Sequence, residues 1–337
     1  MRALLLRSPG SAAIAEIPVP ARNPGEALLR VEYVGLCGTD LNSYRGRNPL
    51  VSYPRIPGHE ISATIVEIDE GQEGLTVGST VTLSPYTNCG VCASCRNNRS
   101  NACQFNQTLG VQRDGALTEY ISVPVQKLYR ASLSLKELCL VEPLTVGCHA
   151  IARARVALAD VVAIFGCGGV GLGAVAASAF RGAKTIAIDV DDAKLEIAKK
   201  TGADHAINSK RDDLGAAIKE LTEGFGPQVV VEAVGHPETF RTAVDLVAFT
   251  GRVVYIGYAK EPVAYETRFF VQKELDIMGS RNALPCDFEE VISMLEQGRF
   301  PVEAVVSTIV ELDAAPAILA AWDADPQRYT KILISLQ

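Results

Sequence analysis

Residues 161–171 read VVAIFGCGGVG, a continuous apolar run that ends in Gly166-Cys167-Gly168-Gly169-Val170-Gly171. Five apolar residues in succession fit a strand buried on both faces. A glycine turn spaced G-x-G-x-x-G follows, and behind it a small-residue helical stretch, VGLGAVAASAFRG, which is the layout of a phosphate-binding turn. Gly166 permits the tight turn, Gly168 lets the backbone approach a pyrophosphate, and Gly171 lets helix and strand pack closely. The helix start, with Gly169 and Val170, then presents free N–H groups to the phosphates. The next strand pattern, TIAID, ends in Asp189, 18 residues after Gly171. A carboxylate there accepts hydrogen bonds from both adenosine ribose hydroxyls and repels a 2′-phosphate. Val190, Asp191 and Asp192 follow with no Arg or Ser among them, so NAD is expected rather than NADP.

Downstream of this turn, helical and strand patterns alternate: DDAKLEIAKKTG, HAIN, DDLGAAIKELTEG, QVVVEAVG, PETFRTAVDLVAF and GRVVYIGY. Such alternation predicts βαβ units and a doubly wound parallel sheet with helices on both faces, an α/β class. Upstream, EALLRVEYVGL, ISATIVEID, STVTLSP and LTEYISVP are short strand-like runs between Gly, Pro and Asn signals. The first 150 residues or so therefore read as β-rich. In the tail, LPCDFEEVISMLEQG predicts a helix with Asp287 at its N-cap and Glu290 completing a capping box, and TKILISL predicts a closing strand. The expected division is a discontinuous domain over 1–150 and 282–337, with the parallel-sheet domain over 151–281.

With 337 residues, 48% hydrophobic and 21% charged, the chain has ample material for two globular cores. A net charge of −7 without Lys/Arg runs longer than two leaves no nucleic-acid footprint. No apolar stretch is long enough to span a membrane, and MRALLLRSPG carries no secretory signal. A cytoplasmic protein is expected.

Cys89, Cys92, Cys95 and Cys103 fall within fifteen residues, in CGVCASCRNNRSNAC. Thiols at this spacing, in a turn-rich stretch, converge on one closed tetrahedral Zn²⁺ that shapes a lobe over 86–105 rather than doing chemistry. Disulfides are the competing reading, but nine cysteines is an odd number. Cys139, Cys148, Cys167 and Cys286 have no motif around them and read as packing thiols.

Three further segments carry metal-ligand residue types: Gly35-Leu36-Cys37-Gly38-Thr39-Asp40, Gly58-His59-Glu60 and Val141-Glu142-Pro143. The order of GLCGTD, PGHE, the four-cysteine lobe, EP, GCGGVG and Asp189 resembles the zinc-dependent medium-chain dehydrogenase family over the whole chain. CGTDLNSYRGRNP, YPRIPGHE and MGSRNALPCDF are most similar to its polyol and sugar-acid branch, the sorbitol-type and L-galactonate-type dehydrogenases. The resemblance implies a GroES-like β-rich catalytic domain beside a Rossmann domain. It also implies one catalytic and one structural zinc, and a homodimer or homotetramer. Cys37, His59 and Glu60 would hold the catalytic Zn²⁺, with Glu142 at the metal's edge where simple alcohol dehydrogenases bring a second thiolate.

The metal would lower the pKa of a substrate hydroxyl, and the carbon bearing it would give a hydride to NAD. Thr39 is placed to pass the hydroxyl proton outward. Many family members carry His where this chain has Asn42, and Asn cannot change protonation state near neutral pH. By the same resemblance Lys331 would meet the pyrophosphate, and Lys194 would cover the adenosine ribose. Thr145, Val234, Gly257 and Ser280 would line the nicotinamide. Arg281 and Asn282 in GSRNA would neutralise a substrate carboxylate or brace Glu142, or else form a crossover salt bridge. The expected reaction is oxidation of a secondary alcohol of a polyol or sugar acid. A threonine or glycerol-type dehydrogenase and a non-catalytic NAD-binding sensor are the competing readings. Retention of Cys37, Thr39, His59, Glu60 and Glu142 together speaks against the sensor.

Overall fold

A computed structural model describes residues 1–337, which divide into two compact units, Met1–Glu142 with Val302–Gln337 and Pro143–Pro301. Unit 1 opens with the antiparallel pair β1 (Arg2–Ser8) and β2 (Ser11–Glu16), then β3 (Glu26–Leu36), α1 (Gly38–Tyr44), β4 (Glu60–Glu67) and β5 (Thr80–Leu83). A short α2 (Ala93–Arg96), β6 (Tyr120–Pro124), β7 (Leu128–Arg130) and the start of α3 (Leu135–Arg153) follow. Unit 2 continues through β8 (Val161–Phe165), α4 (Gly169–Phe180), β9 (Lys184–Asp189), α5 (Asp192–Lys200), β10 (His205–Asn208), α6 (Leu214–Leu221) and β11 (Val229–Glu232). It ends with α7 (Pro237–Leu246), β12 (Arg252–Tyr255), α8 (Arg268–Gln272), β13 (Asp276–Gly279) and α9 (Pro285–Glu296). The chain then returns to unit 1 with α10 (Val302–Val305), β14 (Val306–Glu311), α11 (Ala315–Ala324) and β15 (Lys331–Ser335).

The sheet of unit 1 runs β14-β15-β3-β4-β5-β7, with β6 also paired to β3. β15 lies antiparallel to β3 with Ile332 opposite Leu36, and β4 lies antiparallel to β3 with Glu60 opposite Gly35. Leu4, Leu29, Ile61, Ile65, Leu83 and Leu117 fill the core around it. Because β3 and β15 are central, both are buried along most of their length.

Unit 2 holds six parallel strands in the order β10-β9-β8-β11-β12-β13, a doubly wound sheet. Phe165, Ile186, Ile188, Val230 and Val253 form its packed interior. α5 starts where the Asp191 side chain accepts from the N–H groups of Ala193 and Lys194. α6 starts in the same way, with the Asp213 side chain accepting from the Ala216 N–H.

The domain boundaries expected at 150/151 and 281/282 fall instead at 142/143 and 301/302. α9 belongs to unit 2 because it is tied there: Asp287 Oδ2 lies 2.8 Å from His149 Nδ1, and Glu290 takes both a 2.8 Å and a 2.7 Å bond from the Arg181 guanidinium. The cap of α9 also differs from expectation. Leu284 is the N-cap and Asp287 is the third helical residue, its carboxylate accepting from the Leu284 N–H at 2.6 Å. Glu290 is therefore free of the cap and pairs with Arg181. The strand β12, within GRVVYIGY, lies between β11 and β13, which forms the edge.

Candidate functional site

In unit 1, β3 ends at Leu36 and Cys37 becomes the N-cap of α1. Gly58, in the left-handed region at φ +99°, turns the chain so that His59 and Glu60 open β4. The ligand atoms of Cys37, His59 and Glu60 all lie within 4.8 Å of one another. Asp40 sets this spacing. Its Oδ2 accepts from the Cys37 N–H at 2.9 Å, its Oδ1 accepts from the Gly58 N–H at 3.1 Å, and Oδ1 stands 3.9 Å from His59 Nδ1. That nitrogen is buried and has no hydrogen-bond partner. Burial opposes a charged imidazole, yet Asp40, then Cys37 and Glu142, outweigh it and hold His59 well above the ordinary histidine range. Burial is also the main force pushing the Asp40 carboxyl up.

The turn before His59 is backed by residues 115–117. Gly115 donates to the Ile56 carbonyl at 2.7 Å, Ala116 to Gly58 at 3.0 Å and Leu117 to Pro57 at 3.0 Å. A Cβ on Gly115 would sit 2.4 Å from the Gly58 carbonyl oxygen, and one on Gly110 would sit 2.6 Å from the Gly58 nitrogen. Only glycine permits backbone to lie this close to backbone. The His59 turn is thus held from one side by Asp40 and from the other by this segment.

Both carboxylates at the site have protein partners. Lys331 Nζ donates to both oxygens of Glu60, at 2.8 and 2.7 Å, and to the Leu36 carbonyl at 3.3 Å. Lys331, expected by resemblance at the pyrophosphate, is buried and bonded to the Glu60 carboxylate. Glu142 stands outside the close trio and accepts a hydrogen bond from the Tyr86 hydroxyl, both side chains being buried. Burial, more than any neighbour, pushes Glu142 up to about 7 and Tyr86 well above its usual range. Tyr86 has no signal in the sequence that marks it. Thr39 Oγ1 is 3.6 Å from Cys37 Sγ, and Asn42 is exposed on the next turn of α1.

The four-cysteine lobe is equally compact. Cys92 Sγ lies 3.5 Å from that of Cys95 and 3.8 Å from that of Cys103, and all four sulfurs lie within 4.8 Å. Sulfurs around a tetrahedral Zn²⁺ with bonds of about 2.3 Å stand about 3.8 Å apart. Backbone N–H groups of Cys89 and Phe105 point at Cys103 Sγ, and that of Cys92 at Cys89 Sγ, at 3.3–3.4 Å. Bonds of this kind favour thiolates. The Ser94 hydroxyl and the N–H groups of Cys95 and Gln104 lower the Cys92 thiol to about 5.

In unit 2 the remaining cofactor candidates collect at the carboxyl ends of the parallel strands, where open sheets bind ligands. Gly166, at φ +90°, follows β8, and Gly168 is the N-cap of α4. A Cβ on Gly171 would sit 1.7 Å from the Gly166 carbonyl oxygen, whereas one on Gly168 would meet nothing within 4 Å. The turn is therefore closed toward the helix and open in front of its N-terminus, as a bound pyrophosphate requires. Asp189, ending β9, accepts from Cys167 N–H at 2.7 Å through Oδ2 and from Val190 N–H at 2.7 Å through Oδ1. Lys194 is half-buried in the first turn of α5. Val234, Gly257 and Ser280 follow β11, β12 and β13, and Ser280 Oγ is buried without a partner. Thr145 is buried on α3. Arg281 is exposed, and Asn282 adopts a left-handed φ of 53° on the way into α9. The Arg45 guanidinium is engaged by the Asp323 carboxylate and carbonyl.

One thiolate, one imidazole and one carboxylate converging in a buried pocket suit Zn²⁺ in an open site. The fold and these two clusters define a GroES-like unit joined to a doubly wound dinucleotide-type unit. Residues 23–132 match the model of the alcohol dehydrogenase GroES-like domain, and residues 169–297 match that of the zinc-binding dehydrogenases. An uncharacterized zinc-type alcohol dehydrogenase-like protein of Haemophilus influenzae is 34% identical, with 98% of both chains covered. L-galactonate-5-dehydrogenase of Escherichia coli K12 is 33% identical over 87% of this chain and 86% of its own. Among solved structures, the alcohol dehydrogenase rspB of Escherichia coli CFT073, complexed with NADH, superposes with a TM-score of 0.92 at 30% identity over 100% and 99% of the chains. The chain belongs to the zinc-dependent medium-chain dehydrogenase family, in its polyol and sugar-acid branch.

Proposed function

We propose that this protein is a cytoplasmic zinc- and NAD-dependent dehydrogenase that oxidises a secondary alcohol of a polyol or sugar acid. The observation that carries the reading is the convergence of ligand atoms of Cys37, His59 and Glu60 within 4.8 Å, with His59 and Glu60 buried. A zinc ion held by Cys37 and His59, with Glu60 and Glu142 as carboxylate partners, supplies a Lewis acid for the substrate hydroxyl, and NAD supplies the hydride acceptor. A second zinc on Cys89, Cys92, Cys95 and Cys103 holds the lobe in shape. Asp40 keeps Cys37 and His59 at a fixed separation. Thr39 Oγ1, beside the Cys37 sulfur, takes the hydroxyl proton and passes it outward, without a histidine at position 42 to receive it. Gly166, Gly168 and Gly171 admit the pyrophosphate, Asp189 reads the ribose, and Ser280 offers its unpartnered hydroxyl to the nicotinamide end. Arg281 meets a substrate carboxylate. The exposed strand β13 leads us to expect a homo-oligomer.

The test is NADH formation by zinc-loaded protein across polyols, aldonates and simple alcohols, with and without a chelator. Chelator-sensitive turnover confined to one stereochemical group of polyols or aldonates is expected. Absence of turnover from protein carrying both metals would overturn the catalytic reading in favour of a non-catalytic NAD-binding sensor.

A further inference from the structure

We propose that Glu232, the last residue of β11, is a positioning residue that shapes the nicotinamide end of the cofactor site. The inference rests on the reading of unit 2 as the NAD-binding unit. Counted along the chain, its sheet runs third, second, first, fourth, fifth and sixth strand, so the order reverses beside β8. A dinucleotide lies across the carboxyl ends of the strands at such a reversal, one nucleotide half on each side. Asp189 ends β9 on one side and takes the adenosine half. The ends of β11 and β12, on the other side, are left for the nicotinamide half. Glu232 is fully buried there, an acidic residue that closes the otherwise apolar strand VVVE.

Its Oε1 accepts from the Val234 N–H at 2.9 Å, the Gly235 N–H at 2.8 Å and the Thr239 hydroxyl at 2.7 Å. These bonds curl the chain after β11 around the carboxyl group and fasten it to the first turn of α7. The main-chain carbonyl of Glu232 accepts from the Ile256 and Gly257 N–H groups, at 2.9 and 3.1 Å, and so holds the exit of β12. The turn after β8 is tied in as well. Ala233 N–H donates to the Phe165 carbonyl at 2.9 Å, and a Cβ on Gly166 would lie 2.9 Å from Val234 Cγ2. A Cβ on Gly257 would lie 2.4 Å from the Gly235 nitrogen and 2.5 Å from Glu232 Oε2, an approach only glycine allows. Three strand ends therefore meet around one carboxyl group. Val234 and Tyr258, in two of these turns, stay 52% and 80% exposed. Apolar surface held this firmly and left uncovered suits the flat ring of a nicotinamide. Without Oε1, two N–H groups and a hydroxyl lose their shared acceptor, and the turn that carries Val234 is free to move.

The experiment compares calorimetric binding of NAD and of AMP to the zinc-loaded protein. AMP reports the adenosine half of the site and the integrity of unit 2, and NAD reports the nicotinamide end in addition. Glu232→Met is expected to weaken NAD about tenfold or more, the scale of one well-placed hydrogen bond. AMP is expected to stay within about twofold, because effects at separated sites are independent. Glu232→Gln keeps an oxygen for the same three donors and is expected to restore NAD binding. Gly257→Ala leaves Glu232 in place and points a methyl group into the Gly235 turn. It is expected to show the same split between NAD and AMP, and it decides alone if Glu232→Met does not fold. Equal losses of NAD and AMP, or no loss of either, overturn the proposal, and so does a Glu232→Gln protein as weak for NAD as Glu232→Met. If the wild-type protein does not bind NAD, the cofactor reading itself fails and this inference falls with it. Wild-type binding of both ligands, with variants that do not separate them, sinks this inference alone.

Discussion

Thr39 and Asn42 lie three residues apart on α1, yet only Thr39 faces the Cys37 sulfur, at 3.6 Å, while Asn42 is exposed. If Thr39 carries the proton, Thr39→Val should lower kcat about 100-fold or more, the usual scale of acid–base catalysis. Asn42→Ala should lower it only a few-fold on the same scale. Comparable losses in the two variants would show that the proton leaves by another route. Tyr86 is the residue the sequence conceals. It is a tyrosine between a proline and a threonine, and its partner Glu142 is 56 residues away. Replacing Tyr86 with Phe strips a buried carboxylate of a donor, a loss of about 1–3 kcal/mol. A lower urea midpoint in metal-loaded Tyr86→Phe is therefore expected, and an unchanged midpoint would show that the bond contributes nothing. Cys37, His59 and Glu60 were legible because each sits in a short local pattern. The pairing of Lys331 with Glu60 was not legible, because it is fixed by the order of strands, which no local pattern carries.

At the scale of elements, α3 and α4 meet backbone to backbone. A Cβ on Gly147 would lie 2.2 Å from the Ala174 nitrogen, and one on Gly173 would lie 2.8 Å from the Leu144 carbonyl oxygen. Neither neighbour is a side chain that can swing aside, so α4 must move to admit a methyl group. If the N-terminus of α4 holds the cofactor pyrophosphate as proposed, Gly147→Ala should weaken NAD binding as well as stability, the latter by about 1–3 kcal/mol. Calorimetric NAD affinity together with a denaturant midpoint would check this, and unchanged affinity would show that the crossing does not position the turn. The strands of unit 2 were legible as apolar runs because they are covered on both faces. β2 was not: SAAIAE holds three alanines and a single β-branched residue, a weak strand signal. The start of α9 was displaced by one turn of reasoning, since Asp287 can serve either as cap or as the third residue, and only the buried His149 decides between them.

For the whole molecule, the six-stranded sheet leaves β13 at an edge with Ile277 40% exposed. An apolar edge strand of this kind is a template for pairing with a second copy. Ile277→Lys should shift the protein toward monomer in size-exclusion chromatography with light scattering, and an unchanged mass would move the expected interface elsewhere. The sheet of unit 1 has a different consequence. Its strand β15 lies between β14 and β3, fully buried, yet it leaves the ribosome only after all of unit 2 has been made. Unit 2 is contiguous and can fold as it emerges, whereas residues 1–142 must wait for the whole of residues 143–330 before the strand that completes them is made. During that interval one edge of β3 lacks its partner strand. Newly made chains of this protein are therefore expected to depend on chaperone holding of their first half, and a message truncated before Lys331 would yield a folded unit 2 beside an unfinished metal site.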